Sequence, residues 1–217
     1  MKKLLACLLL IASPAYALEA GFKEIFNGKN LNGWTSVNGD GKYEVKDGEI
    51  VGTGDNTKAN TFLRTKKTYK DFDFRFEFKF DTLEGNSGVM FRGLQRDGKD
   101  GRVYGYQCEH DQDKKRAWTA GIYDEARRGW LMPASNSDEA KKAFTAQGQE
   151  LMKWDDWNEV RIVAEGKHLT IYLNGKLRSD YTDNDEKNFT PEGFFALQVH
   201  AGKACNVRWR NLRVKEL

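Results

Sequence analysis

The residues best equipped for chemistry lie between Tyr104 and Trp130, in the run YGYQCEHDQDKKRAWTAGIYDEARRGW. Two strand-like segments flank a charged turn there. In the first, Tyr104, Tyr106, Cys108 and His110 share one parity, while Gln107, Glu109 and Asp111 share the other. Side chains alternate between the two faces of a strand. One face therefore carries an amide followed by two carboxylates. Such a row, beside arginine and tryptophan, suits hydrogen bonding to sugar hydroxyls and the movement of protons. Glu109 and Asp111 stand roughly 6.5–7 Å apart along a strand. Side-chain swing can bring them to the separation of a retaining glycosidase pair. A solvated face is the plainer alternative, since antiparallel sheets often turn one polar face to water.

Two other segments show the same patterning. Met90 and Arg92 lie opposite Val89 and Phe91, and Gln198 and His200 lie opposite Leu197 and Val199. If these strands share a sheet, Arg92, Gln107, Glu109, Asp111, Gln198 and His200 converge. Tyr123, Asp124, Glu125, Arg127 and Trp130 add acids, a cation and aromatic rings close by. No cofactor motif stands out. Glu109, Asp111 and His200 offer oxygen and imidazole ligands that suit several divalent metals, so a divalent metal stays open. No G-x-S-x-G marks a serine nucleophile. GDGKYE and DGKDGR lack the acids of a calcium loop.

The elements that must position these residues read as strands. FDFRFEFKF at Phe72–Phe80 has strict period two and predicts a strand with one buried aromatic face. Shorter runs predict strands at 43–45, 49–53, 61–65, 87–93, 103–110, 117–123, 157–165, 168–173, 176–181, 193–200 and 205–214. Asp47-Gly48 and Asn174-Gly175 are hairpin turns between them. Ser137–Gln147 breaks the pattern and predicts one short surface helix with Ser137 as N-cap. Many short strands separated by turns predict an all-β sandwich.

The first residues, MKKLLACLLLIASPAYA, carry two lysines, an apolar stretch and Ala15-Tyr16-Ala17. They read as a secretory signal peptide, 1–17, cleaved near Ala17. The expected location is periplasmic or extracellular. Residues 18–217 carry no repeat, low-complexity tract or linker and predict a single domain. Without Lys2 and Lys3 the formal charge falls from +3 to +1. That argues against a nucleic-acid partner. No later segment is apolar enough for a transmembrane span. Cys108 and Cys205 remain, and a disulfide or two buried thiols fit equally.

Several pieces in order carry a resemblance: IFNGKNLNGW (25–34), NSGVMFR (86–92), GYQCEHD with RAWTAGIYDEARRGWL, LQVH (197–200) and VRWRNLRVKEL (207–217). Together they resemble the 3-keto-disaccharide hydrolase domain family. The resemblance implies a concanavalin A-like jelly-roll sandwich of two antiparallel sheets, with a groove on the concave one. It also implies a 3-keto-glycoside or oligosaccharide substrate. A ketone at C3 acidifies the C2 hydrogen, so a base can form an enolate that expels the C1 substituent, and water adds afterwards. Glu109 or Asp111 is the candidate base. Arg92, Arg127 or His200 is the candidate enolate partner. Tyr123, Asp124 or Glu125 supplies an acid or holds hydroxyls with Gln107 and Gln198, and Trp130 stacks on the ring. A non-catalytic carbohydrate-binding module and an ordinary two-carboxylate glycosidase are the alternatives. A third is an interaction domain, marked by an exposed patch at Trp130, Leu131 and Met132.

Overall fold

A computed structural model describes residues 18–82, 85–97, 101–133 and 137–217. The predicted leader lies outside them. The strands follow in chain order. They begin with β1 (Lys23–Glu24), β2 (Trp34–Asn38), β3 (Lys42–Lys46), β4 (Glu49–Gly54) and β5 (Thr61–Thr65). Next come β6 (Phe72–Phe80), β7 (Ser87–Gln95), β8 (Val103–His110), β9 (Ile122–Glu125) and β10 (Gly129–Met132). Helix α1 (Asp138–Leu151) precedes β11 (Asn158–Glu165), β12 (His168–Leu173), β13 (Lys176–Thr182), β14 (Phe194–Val199) and β15 (Cys205–Glu216). Two antiparallel sheets result. One runs β13-β12-β11-β6-β15-β4-β3, with β1 also paired to β15; the other runs β10-β9-β8-β7-β14-β5-β2. This is the expected all-β sandwich.

The alternation that predicts β6 also builds the core. Phe72, Phe74, Phe76, Phe78 and Phe80 are all buried, each ring contributing roughly 1.5–3 kcal/mol. They meet Val89, Phe91, Tyr106, Phe195 and Leu197 from the facing sheet. Cys108 on β8 and Cys205 on β15 join this core as free thiols. The alternative of a disulfide is therefore not realised.

Three expectations shift. The helix runs to Leu151, beyond the predicted Gln147, and its Ser137 cap accepts from Ala140 N. It is not purely a surface element: Arg178 of β13 lies 3.5 Å from the ring centre of Phe144 and donates to the Phe144 carbonyl. The strand predicted over 117–123 starts only at Ile122, because Ala117 and Ala120 take positive φ and break the extended run. Strands β1, β2 and β10 were not predicted.

The seven-stranded sheet shapes the groove on its outer face. The start of β8 comes against β2, where Val103 N donates to Asn38 Oδ1. Beneath that contact Val37, Phe62, Met90, Val103, Phe194 and Ala196 form a second apolar cluster. The rest of the cavity-bearing outer face carries polar side chains together with the rings of Tyr123 and Trp130.

Candidate functional site

On that polar face lies an open cavity of about 480 Å³. Alternation sets its floor: β8 contributes Gln107 and Glu109, and β9 contributes Tyr123 and Glu125. Gln198 of β14 and His200 just beyond it form one side, and Trp130 of β10 forms another. Strands β14, β7 and β8 are neighbours, which is why segments far apart in sequence meet here. Among the residues the sequence reading did not select, Asn60, Asn86, Arg102 and Arg116 also line the cavity. Arg116 and the neighbouring Trp118 stand in the quoted RAW segment, and Asn86 opens NSGVMFR. Each was in view, but a loop residue has no parity to place it.

Glu109 is the chemical centre of the floor. It is 4 % exposed. Asn86 Nδ2 donates to its Oε1 at 2.8 Å, and Gln107 Nε2 donates to its Oε2 at 3.1 Å. Arg116 Nη2 reaches Oε1 at 3.4 Å. Burial pushes its carboxyl up to about 7, against the pull of Asn86 and Arg116 and with help from nearby Asp111. Desolvation of the charged form outweighs the donors. Arg116 stands against Trp118 and Trp130, with its guanidinium carbon 5.7 and 5.4 Å from their ring centres. Trp130 meets Tyr123 edge to face at 5.2 Å. Burial, and then the charge of Glu125 and Glu109, raise the Tyr123 phenol.

Glu125 occupies the far end of the cavity, bound by Arg102 Nη2 at 2.6 Å and Asn60 Nδ2 at 3.4 Å. It pairs with Gly105, whereas Glu109 stands one position past the Cys108–Ile122 pair. Their backbone positions are thus about 13 Å apart along the strands. His200 keeps Nδ1 on the Ala201 carbonyl, 2.6 Å away.

Four expected site residues are placed elsewhere. Arg92 is fully buried, donating to the Lys70 and Gly166 carbonyls and to Asp71. A bulge explains this. Met90 pairs with Ala196 and Gly93 with Phe194, so three steps along β7 match two along β14. Arg92, at φ 46°, is the extra residue and leaves the concave parity. Asp111 follows the last residue of β8 and turns into the loop. It is 1 % exposed and accepts from Arg116 Nε, Trp118 N and Asp113 N. It therefore lies outside the cavity lining, which undoes the Glu109–Asp111 glycosidase pair. It also undoes the Glu109–Asp111–His200 metal set. Among the described residues no group of three His, Cys, Asp or Glu could hold a metal ion.

Asp124 takes the inward parity between Tyr123 and Glu125. There it pairs with Arg127 and Arg128, and Arg128 continues to Asp183. Arg127 also donates to the Asn188 carbonyl and Thr190. These groups clasp the β9–β10 hairpin to the chain after β13. Leu131 is buried and Trp130 and Met132 are half-buried, so the exposed patch of an interaction domain is not formed.

A concanavalin A-like sandwich with a polar, aromatic-walled groove defines a protein of the carbohydrate-associated class. Comparison with known proteins agrees. The 3-keto-alpha-glucoside-1,2-lyase-like domain matches residues 21–215, and the chain belongs to that family. A search of curated proteins finds no match. Among solved structures, a "putative glycosyl hydrolase" from Parabacteroides distasonis aligns with TM-score 0.60 and 19% identity, over 91% of this chain and 94% of that one. Carbohydrate-binding module CBM66 from Bacillus subtilis aligns with TM-score 0.54 and 17% identity, over 85% and 96%. A Bacillus subtilis protein of unknown function with a galectin-like fold aligns with TM-score 0.63 and 10% identity, over 90% and 98%. At these identities the structural likeness concerns the fold.

Proposed function

We propose that this protein cleaves 3-keto-glycosides by elimination, with Glu109 as the base. The observation that carries this reading is a buried carboxyl on the cavity floor, held by burial at about 7. A base poised near neutrality is ionised often enough to accept a proton and basic enough to take one from carbon. Glu109 removes the C2 hydrogen of the keto sugar, and the electron pair moves into the C2–C3 bond to give an enolate. Arg116, beside Glu109 at 3.4 Å, stabilises the oxygen at C3. As the ketone reforms, a C1–C2 double bond forms and the C1–O bond breaks. The leaving oxygen takes a proton from Tyr123, whose raised phenol stays protonated. Water then adds across C1–C2, giving the free 3-keto sugar. Trp130 offers its ring to the sugar face.

Family membership supports this substrate class. Glu125 is engaged by Arg102 and Asn60, which favours elimination by one base over a two-carboxylate glycosidase. We also place the protein in the periplasm or outside the cell, on the leader read in residues 1–17. One chromogenic glucoside in two forms tests the chemistry. Release from the 3-keto form alone, with deuterium entering C2 in D2O, is expected. Equal release from the unoxidised form would overturn elimination. Binding without release from either form would make the groove a carbohydrate-binding module.

A further inference from the structure

Three groups on the cavity floor form one hydrogen-bonded row. Gln198 Nε2 donates to Gln107 Oε1 at 3.1 Å, and Gln107 Nε2 donates to Glu109 Oε2 at 3.1 Å. All three are buried. The row crosses β7 at Gly88, which pairs with Glu109. A Cβ there would stand 2.6 Å from Gln107 Cδ, well inside contact distance. A glycine at this one position lets the Gln107 amide lie flat across the strand and reach β14. At the outer end of the row, Gln198 Oε1 is buried and has no partner, and Asn86 Oδ1 at the other side of Glu109 has none either.

A primary amide has a donor end and an acceptor end. As arranged, the row runs donor to acceptor toward an ionised Glu109. A proton on Oε2 would face the Gln107 N–H2 group, donor against donor. Turning Gln107 by 180° gives that proton an acceptor. Gln198 must then turn as well, because two N–H2 groups would otherwise meet. The unpartnered Gln198 Oε1 becomes the acceptor for Gln107, and the Gln198 N–H2 group moves to the outer end. Each protonation state of Glu109 thus has one matching orientation of both amides.

We infer that Gln107 and Gln198 are positioning residues forming a two-amide relay whose orientation follows the protonation state of Glu109. The inference rests on Glu109 being the base. With Glu109 ionised, both amides donate toward the carboxylate and hold it in place. Once Glu109 has taken the C2 proton, both amides turn and the buried Gln198 Oε1 accepts from Gln107. The charged or titratable groups facing Glu109 are Arg116 and Asp111 from the 111–119 loop and Tyr123 from β9. From β14 and the entry to β7 the row meets Gln198 and Asn86, which do not titrate.

The test needs no turnover, so its failure is separable from failure of the proposed reaction. Side-chain amide 15N–1H signals of Gln107 and Gln198 are followed from pH 5 to 9 in the full protein, beside the Glu109 carboxyl 13C signal. Both amides are expected to shift with the same midpoint as the carboxyl, and both shifts to vanish in Glu109→Gln. A Gln198 signal that stays still while Glu109 titrates would overturn the relay, as would a Glu109 carboxyl that does not titrate in this range. A second arm uses Gln198→Met with the 3-keto glucoside. Loss of the hydrogen bond to Gln107 should lower kcat/KM about tenfold, the size of one hydrogen bond, and Gln198→Asn should not restore it, being too short to reach Gln107. Wild-type kcat/KM in Gln198→Met would also overturn the relay.

Discussion

Replacing Glu109 with glutamine should abolish turnover and yet stabilise the fold, by an amount that depends on pH. The magnitude follows from the environment of the carboxyl. Burial raises it from 4.5 to about 7, so the folded chain holds a proton that the unfolded chain has already released. Each pH unit of that difference is worth ~1.4 kcal/mol. The Glu109 contribution to stability is therefore fullest below 4.5, declines as pH rises through the window, and levels off above about 7, about 3 kcal/mol lower. Glutamine cannot ionise and escapes this decline. The donors from Asn86, Gln107 and Arg116 already oppose the shift, so they are not counted again. At pH 4 the two proteins should unfold at similar temperatures. At pH 8 the variant should unfold about 6–12 °C higher, at ~2–4 °C per kcal/mol for a domain of this size. Thermal unfolding at pH 4, 6 and 8, with turnover of the 3-keto glucoside at each, measures both effects. A gap that does not change with pH would refute the argument, and so would a variant less stable than wild type at pH 8.

Arg116→Gln removes the cation beside Glu109, the proposed base, and the donor proposed for the C3 oxygen. It should lower kcat about 10²–10³-fold and move the acidic limb of the pH–rate profile upward; an unchanged kcat would exclude Arg116 from the reaction. Arg92→Met should lower stability by about 2–4 kcal/mol, since it strips donors from two carbonyls and Asp71, but leave kcat of the folded protein unchanged in a steady-state assay. His110 is buried against Phe76 and Phe78, and burial lowers it from 6.5 to about 3. The folded chain stays neutral there while the unfolded chain takes up a proton. Its contribution is complete above 6.5 and is lost as pH falls toward 3, by up to about 5 kcal/mol. His110→Leu should flatten the acid side of a urea-unfolding stability profile, and an equally steep acid loss in the variant would remove His110 as its cause. Between 4.5 and 6.5 Glu109 and His110 tilt stability in opposite directions, so the wild type should be nearly flat there.

The fold was legible because period two is a direct record of a two-faced sheet. FDFRFEFKF needs no tertiary information to say which side is buried. The same rule placed Gln107, Glu109, Gln198 and His200 on one surface from two separate strands. It failed where the backbone departs from regular alternation. Arg92 has the right parity by counting, but one extra residue in β7 turns it away. Asp111 has the right parity too, but the strand has ended at His110. Asp124 was grouped with its neighbours by composition although alternation alone puts it on the opposite face from Tyr123 and Glu125. Arg116, Arg102 and Asn60 come from loops, where sequence spacing does not fix direction. Bulges, strand ends and loops are where alternation stops placing side chains, so the loop-borne part of the cavity lining, Asn60, Arg102 and Arg116, was the part it left out.

The same sandwich serves binding modules and enzymes, and burial of Glu109 weighs between the two. A groove that only holds sugar gains nothing from a carboxyl forced toward neutrality. A glutamine at that position would offer a donor and an acceptor to hydroxyls and would spare the fold about 3 kcal/mol above pH 7. Retaining the acid makes sense when a proton has to be taken and returned. The surroundings agree with that demand. Three donors aim at the carboxyl and hold it in one place. Asp111 is engaged by Arg116, which fixes the guanidinium beside Glu109. The second carboxylate in the cavity is neutralised by Arg102 at the far end, so it does not compete for the proton. A binding surface tolerates loose side chains, whereas a base must meet one hydrogen on one carbon. The rigidity around Glu109 is therefore the feature that favours an enzyme, and it predicts that Asp111→Asn will lower kcat more than it raises KM. Steady-state kinetics on the 3-keto glucoside decides this: a change confined to KM would mean that Arg116 only holds the sugar.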